Sequence, residues 1–510
     1  MRTFTALVSL TLLSLAHTVR AGTFPDFGYA PPAGWTGQRF ELSQDYPTQL
    51  PDTEAVPWAS IDFTSQPKEY MAAVLQYAFE GNLEKDFVVQ ANSVRKWFHV
   101  PWLHWGNNGR EFVRGLTRER TSRRFELAAT QDQPYRNYAV GFYNPRGGYV
   151  IGKVWRDPHN PKTANVSFPE GSVAFKLLFT TAPVSQVPYL HDAPEWVADI
   201  HRSQDPQEIE QTRVRLLQID LAVRDSRSLN AAWVFGTLQY DASVQAESPW
   251  LRLRPVALMW GNDPTLKESD YNNGQRPNET WINPDAPVVQ YRSNPPVGVT
   301  PPHTLGWAGR GNGPVDNPLS SCLSCHATAQ IPATSSMVPP NSLPEAEKLR
   351  WFRNLRVGEP FDAGSQSLDF SLQLGVGIQN FQRPFEKSSR GGISPVPCRD
   401  DCLSYPYPTD LTDAAAEVHA AHRELTRGKT TFSIAHTFST IAHADKMLRL
   451  EAGQFATYGT HEALMRTCQE YRELYELQFG PQPEYATAAT NVVNNNHKLC
   501  ALDQSVKSTQ

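Results

Sequence analysis

Cysteine and methionine are scarce in this chain, with six of each among 510 residues. An excess of charge of one sign is also lacking: the 47 basic residues against 52 acidic ones give no sign of a nucleic-acid-binding surface. After the N-terminus no apolar run is long enough to cross a bilayer. A complete Gly-x-x-x-x-Gly-Lys-Ser/Thr loop is missing too, which argues against a phosphate-binding site of that kind.

The first 21 residues have the pattern of a secretory signal peptide. Arg2 precedes an apolar stretch from Ala6 to Ala16, and Ala21 supplies a small residue at the expected cleavage site. We therefore expect an exported mature chain, periplasmic or otherwise outside the cytoplasm, without a transmembrane segment.

Two of the few cysteines form a recognisable motif. Cys322 and Cys325 stand two residues apart, and His326 follows directly. Two thiols about one helical turn apart, with an imidazole beside them, are the pattern of covalent c-type haem attachment. A redox dithiol would instead need a thioredoxin-like βαβ context, and zinc would need a second Cys/His pair. We expect one covalent haem c, with His326 as the proximal ligand of the iron.

The sequence does not determine which ligand binds the other face of the iron. Met337 follows the motif closely, and His303 precedes it. His99 or His104 could reach the iron from another part of the fold. A vacant position, which permits small-molecule binding, is the third possibility.

Local patterns predict an α+β protein with an early helix and a large, mainly antiparallel β domain, either a sandwich or a barrel. Apolar residues at helical spacing predict a helix over 67–83. A Pro-Arg-Gly-Gly turn between 137–143 and 149–155 predicts a hairpin. Apolar or alternating stretches predict further strands at 172–181, 217–223, 232–240 and 253–260. After the motif, two amphipathic segments predict helices at 343–355 and 368–381.

Residues 96–106 contain the densest cluster of aromatic and histidine side chains. The cluster could line a ligand pocket or cover the haem. We favour a core of stacked aromatics with satisfied histidines, because aromatic side chains dominate cores by area.

The motif from Cys322 to His326 resembles the cytochrome c family. The larger block 97–381 resembles exported bacterial proteins in which one haem segment follows a β-rich region. The resemblance implies haem binding and electron transfer, with the redox partner protein or small-molecule substrate unidentified. A haem-dependent oxidoreductase with a substrate pocket over an open haem is an alternative, and a haem-based binding or sensing module is another.

The C-terminal part carries a different resemblance. Residues 427–441, 444–447 and 459–464 resemble the last part of an ABC-transporter ATPase domain. In that family the histidine that matches His436 is the switch histidine, which contacts the γ-phosphate. The phosphate loop, the signature motif and a strand ending in Asp-Glu are absent from the chain. We therefore expect a small αβ remnant that neither binds ATP nor acts as an ATPase.

These patterns divide the chain into six segments. The predicted segments are a signal peptide (1–21), an extended lead-in (22–57), a β-rich domain (58–292), a haem c segment of helices and loops (293–397), an ABC-ATPase-like fragment (398–480) and a disordered tail (481–510). The sequence does not determine the disulfide pairing of the remaining cysteines, Cys398, Cys402, Cys468 and Cys500.

Overall fold

The computed structural model describes residues 36–104, 110–201, 209–228, 231–382, 385–387, 393–395, 446–451 and 454–468. The chain divides into two compact units, 1–409 and 410–510. The predicted signal peptide and tail lie outside the described residues, as do three cysteines: Cys398, Cys402 and Cys500.

An eight-stranded antiparallel sheet forms the first unit's centre. Its strands are β1 (Thr117–Ser122), β2 (Tyr135–Tyr143), β3 (Val173–Thr180), β4 (Glu195–His201), β5 (Ile209–Arg224), β6 (Trp233–Tyr240), β7 (Leu253–Met259) and β8 (Thr280–Ile282). Hydrogen bonding follows the order β1-β2-β3-β5-β6-β7-β8, and β4 pairs with the first part of β5.

The sheet is open, because β1 and β8 end the path without pairing with each other in the described part of the chain. The barrel prediction is therefore wrong. The other described sheets have only two strands each. Within the described ranges, therefore, no second large sheet packs on the first to form a sandwich. The α+β class and the large antiparallel sheet are confirmed.

Seven α-helices of the first unit are described. They are α1 (Pro67–Phe79), α2 (Pro145–Val154), α3 (Glu268–Asn272), α4 (Pro287–Ser293), α5 (Cys322–His326), α6 (Glu345–Lys348) and α7 (Leu372–Gln382). Two small antiparallel sheets of two strands each pair β9 (Gln330–Ile331) with β10 (Gln366–Ser367) and β11 (Phe385–Lys387) with β12 (Ile393–Pro395). The early helix and the strands predicted at 172–181, 217–223, 232–240 and 253–260 are confirmed.

The hairpin predicted around Pro145 is wrong in its second half, because the chain after β2 forms helix α2. Asn144 caps the helix by accepting a hydrogen bond of 3.0 Å from the Gly147 amide, and Pro145 occupies the first helical turn. The buried face of α2 carries Val150 and Ile151, which lie four and three positions before the buried Val154. The glycines that suggested a turn, Gly147 and Gly148, are the third and fourth residues of the helix.

Separate hydrophobic cores cover the two faces of the sheet. Neighbouring residues of β6 show the division, since Val234 belongs to one core with α1 and Phe235 to the other with α5 and α7. Trp97 and Trp102 are buried in these two cores. The core interpretation of the 96–106 cluster is thus confirmed for its described aromatic residues.

The second unit shows a hairpin followed by a helix. β13 (Met447–Glu451) pairs with β14 (Gln454–Gly459), and α8 (His461–Thr467) follows, capped by Thr460, whose hydroxyl accepts from the Ala463 amide at 3.2 Å. Among the helices that the structure describes, none has the length and apolar character needed to cross a membrane.

Candidate functional site

A single helical turn, α5, holds the two thiols and the imidazole of the motif. Ser321 begins the turn: its hydroxyl accepts from the Ser324 amide at 3.1 Å, and the Ser324 hydroxyl accepts from the Ser321 amide at 2.8 Å. The Ser321 hydroxyl also donates to the Asn262 side chain at 3.1 Å. Short-range capping and one distant contact therefore fix the orientation of α5.

Cys322, Cys325 and His326 line one cavity of about 200 Å³. Strands β2, β3, β5 and β6 supply other parts of its wall, and Met337 lines it as well. Aromatic and aliphatic side chains form much of the lining, including Phe175, Leu221, Phe235 and Phe370. The structure thus brings together the two cysteines predicted to attach haem, the predicted proximal ligand His326 and one predicted distal ligand, Met337.

The imidazole of His326 is held at one nitrogen. Nδ1 donates a hydrogen bond of 2.9 Å to the carbonyl oxygen of Phe370, which leaves Nε2 for a further partner. The ring packs on Phe235 with 4.5 Å between centroids. Burial lowers the pKa of His326 to about 4, so the imidazole is neutral at neutral pH. A neutral imidazole with one free nitrogen is the form that ligates a metal.

The two cysteines are free thiols. Burial, with a smaller contribution from the charge of Asp316, raises the pKa of Cys325 to about 12 and that of Cys322 well above its ordinary value. Both groups are therefore protonated at neutral pH. A redox dithiol or a zinc site requires thiolates, so this environment is unfavourable for those two alternatives.

Five charged side chains also line the cavity, and sequence reasoning missed them: Glu119, Arg120, Lys176, Asp220 and Asp316. The Lys176 ammonium lies 3.1 Å from an Asp220 carboxylate oxygen and 4.0 Å from one of Glu119. Burial raises the pKa of both Glu119 and Asp316. The available signal for Lys176 was its position as the one charged residue of the apolar strand β3.

The other predicted distal ligands lie elsewhere. His303 has a side chain that is 62% exposed, and its Nε2 is 3.9 Å from Glu268. His99 accepts a hydrogen bond of 2.9 Å from the Ser43 amide at Nδ1 and is buried, as is His104. Of these four candidates, all within the described residues, only Met337 lines the cavity.

Side chains alone do not form a metal site in the described ranges, where no group of three or more His, Cys, Asp or Glu residues could hold an ion. That finding applies to ions bound wholly by protein ligands. A porphyrin supplies its own equatorial nitrogens and needs only axial ligands from the chain.

Comparisons with known proteins point to ABC transporters. The chain is 42% identical over 83 residues to the mycobactin import ATP-binding/permease protein IrtA of Mycolicibacterium smegmatis, a match that covers 16% of this chain and 9% of that protein. It is 43% identical over 68 residues to the ATP-dependent lipid A-core flippase of Syntrophus aciditrophicus, covering 13% and 11%. It is 40% identical over 75 residues to a probable multidrug resistance ABC transporter ATP-binding/permease protein, YheH, of Bacillus subtilis, covering 15% and 11%.

The chain spans about a tenth of the length of these curated relatives. No family model matches it, and no solved structure does.

These relatives overturn the identification of the chain as an exported cytochrome-domain protein, since their names are those of ABC transporters and not of cytochromes. Three predicted functions rested on that identification and are wrong as well: electron transfer, a haem oxidoreductase and a haem sensor. The physical reason is that a motif from Cys322 to His326 specifies local chemistry, whereas a family assignment needs similarity over a folded segment.

The exclusion of ATP and of ATPase activity is also wrong. It rested on motifs missing from the chain, but two of these relatives carry "ATP-binding" in their names and the third is named ATP-dependent. The resemblance of the C-terminal part to an ABC ATPase domain agrees with these matches.

Proposed function

We propose that the cavity binds one haem, attached covalently through Cys322 and Cys325, with His326 as an axial ligand. One observation carries the proposal: both thiols and the imidazole line the same cavity. The haem would supply an iron atom with axial positions for protein side chains. Met337, which lines the cavity too, is the candidate for the second axial position.

The residues suit attachment by simple addition. Cys322 and Cys325 would each hold the haem through a thioether to one vinyl group, with the sulfur on one vinyl carbon and the thiol hydrogen on the other. No oxidant or reductant is consumed. The protonated state of Cys322 and Cys325 keeps both atoms of each S–H bond available. The apolar walls of the cavity suit the faces of a porphyrin, because contact with them removes apolar surface from water.

A covalent-haem assay tests this proposal. The full chain is produced in a host that attaches c-type haem, denatured, and stained for haem peroxidase activity. We expect stain on the wild-type polypeptide, and its loss when Cys322→Ala and Cys325→Ala are combined. The matched control combines Cys398→Ala and Cys402→Ala, the other close cysteine pair, and should keep the stain. Absence of stain from the wild type, or full stain in the Cys322/Cys325 variant, contradicts the proposal.

We also propose that the chain is exported, on the signal-peptide pattern that ends at Ala21. N-terminal sequencing of the protein purified from its natural compartment should begin at Gly22. A mature protein that begins at Met1 would contradict export.

A second candidate function, ATP binding by the C-terminal part, comes from the names of the curated relatives. The residue proposed to contact nucleotide is His436, which matches the switch histidine of the ABC family. His436 lies outside the residues that the structure describes, so the proposal of nucleotide binding rests on the sequence match to the ABC family.

Equilibrium binding of a fluorescent ATP analogue to the full chain tests the second candidate. His436→Ala should weaken binding, and His443→Ala, a nearby histidine, should not. Equal binding by the wild type and by His436→Ala would exclude this role for His436.

A further inference from the structure

The carbonyl group that holds His326 lies in a strained turn between β10 and α7. Asp369 has φ of 49° and Phe370 has φ of 64°, so two successive residues other than glycine adopt the left-handed conformation. This conformation is unfavourable for a bulky residue such as Phe370 and persists only where surrounding contacts impose it. The turn must therefore be anchored from outside.

The Asp369 side chain provides that anchor. One carboxylate oxygen accepts a hydrogen bond of 2.6 Å from the Phe168 amide, and the other accepts one of 3.0 Å from the indole Nε1 of Trp233. The residue is fully buried. Trp233 begins β6, and Phe168 lies just before β3. The carboxylate thus joins the turn to the sheet beside the cavity.

A second contact holds the other side of the turn. The Ser371 hydroxyl is 2.8 Å from the Tyr143 hydroxyl at the end of β2. The Leu372 amide donates to the Phe370 carbonyl at 3.2 Å, so this oxygen accepts hydrogen bonds from α7 and from His326 together. The position of the carbonyl is therefore determined on both sides.

We propose that Asp369 is a positioning residue for His326. By fixing the left-handed turn, it places the Phe370 carbonyl where it accepts the Nδ1 hydrogen, which selects one tautomer and leaves Nε2 for a ligand. Partners of this kind commonly orient metal-bound histidines. The inference deepens the proposed haem site and rests on it for the identity of the ligand, but the tautomer can be measured without haem.

The test uses the full chain labelled with 15N-histidine and produced without haem attachment. In the wild type, the two ring nitrogens of His326 should show the widely separated shifts of a single Nδ1–H tautomer. Asp369→Asn keeps a residue that tolerates positive φ but replaces one acceptor oxygen with an N–H donor. We expect the two ring shifts to move toward each other in this variant. Unchanged shifts in a folded Asp369→Asn protein would overturn the proposal.

Two further variants make the result specific. Asp362→Asn changes another largely buried carboxylate, which accepts from Gln330 and Thr334, and should leave the His326 shifts unchanged. A matching shift change in Asp362→Asn would show a general packing effect and contradict the specific role. If Asp369→Asn does not fold, the same measurement is made on Trp233→Phe, which removes one of the two donors to Asp369. The His326 ring shifts should again move toward each other, and unchanged shifts would overturn the proposal.

The haem-loaded protein gives an independent spectroscopic readout. Loss of the Nδ1 hydrogen bond should lower the iron–histidine stretching frequency in Asp369→Asn, because a His that donates at Nδ1 is a stronger ligand. An unchanged frequency would contradict the role of Asp369. Failure to attach haem while the ring shifts respond would contradict the cofactor proposal alone.

Discussion

His326 and Phe370 are 44 positions apart in the sequence and are joined by a hydrogen bond of 2.9 Å from Nδ1 to the carbonyl oxygen. The first residue ends α5, and the second lies in the turn before α7. The candidate site is therefore assembled from two segments that the sheet brings together. The motif alone specifies three of its side chains but not their orientation.

Asn144→Ala should destabilise the first unit by about 2 kcal/mol or more, since caps alone contribute up to about that amount. Asn144 caps α2, accepts from the Val173 amide at 3.0 Å, and donates to the Gly171 carbonyl at 2.9 Å. Asn144→Ser keeps an N-cap acceptor without introducing a charge and should cost less. Denaturant unfolding measures both variants, and equal losses would show that the cap is not the main contribution.

Glu126→Gln should destabilise the protein by about 3–5 kcal/mol, because it leaves a buried guanidinium without its counter-charge. Arg120 and Glu126 form a two-point ion pair of 2.6 and 3.1 Å, and both are almost fully buried. Asp45→Asn, which breaks an exposed pair with Lys96, is the control and should change stability by about 0.5 kcal/mol or less. Similar losses in both variants would argue against a special role of burial.

Arg310→Met should cost about 4 kcal/mol or more, since several buried carbonyls would lose their donor. The guanidinium is fully buried and donates to the carbonyls of Asn262, Asp263 and Leu266 at 2.7–2.8 Å, and to that of Trp307 at 3.0 Å. Burial lowers its pKa to about 10, so it stays charged at neutral pH.

The matched control for Arg310 is Arg356→Met, at an exposed position. Its unfolding midpoint should equal that of the wild type. A wild-type midpoint in Arg310→Met as well would refute the structural role of the buried guanidinium.

The stability of the first unit should fall as pH rises through the range set by Glu111. Burial raises the pKa of this carboxyl from 4.5 to about 7, although the amides of Arg114 and Val113 donate to it and oppose the shift. Between these values the folded chain keeps a proton that the unfolded chain releases. The group therefore contributes up to roughly 3 kcal/mol below pH 4.5, which is lost as pH rises through 7.

Glu111→Gln should remove this contribution and flatten the dependence of unfolding free energy on pH between about 4.5 and 7. Glu84→Gln, at an exposed position, serves as the control and should keep the wild-type slope. The assignment fails if Glu111→Gln and the wild type have the same slope in denaturant titrations at several pH values.

The sequence was sufficient for elements with a strong local pattern. Helix α1 and the second part of β5 followed from apolar residues that repeat every 3.6 or 2 positions, whereas β3, β6 and β7 followed from short, largely apolar runs. Helix α2 did not, since its Pro-Arg-Gly-Gly start is typical of a turn and only the Asn144 cap distinguishes a helix. The openness of the sheet depends on strand pairing between distant segments, which local patterns do not encode.

The candidate site was predictable to a similar degree. Spacing alone indicated Cys322, Cys325 and His326 because α5 is one turn long and its chemistry is local. Lys176 and Asp220 lie on strands β3 and β5, which the sequence identified only by their apolar residues. Their approach to α5 depends on the fold. The relatives also showed that a short motif does not identify a protein family.

Intact-mass measurement of the denatured full chain, produced in a host that attaches c-type haem, tests the central claim most directly. We predict that the wild-type polypeptide exceeds its calculated mass by one haem, and that the Cys322→Ala, Cys325→Ala variant does not. A wild-type mass equal to that of the polypeptide alone would contradict covalent haem attachment at this site.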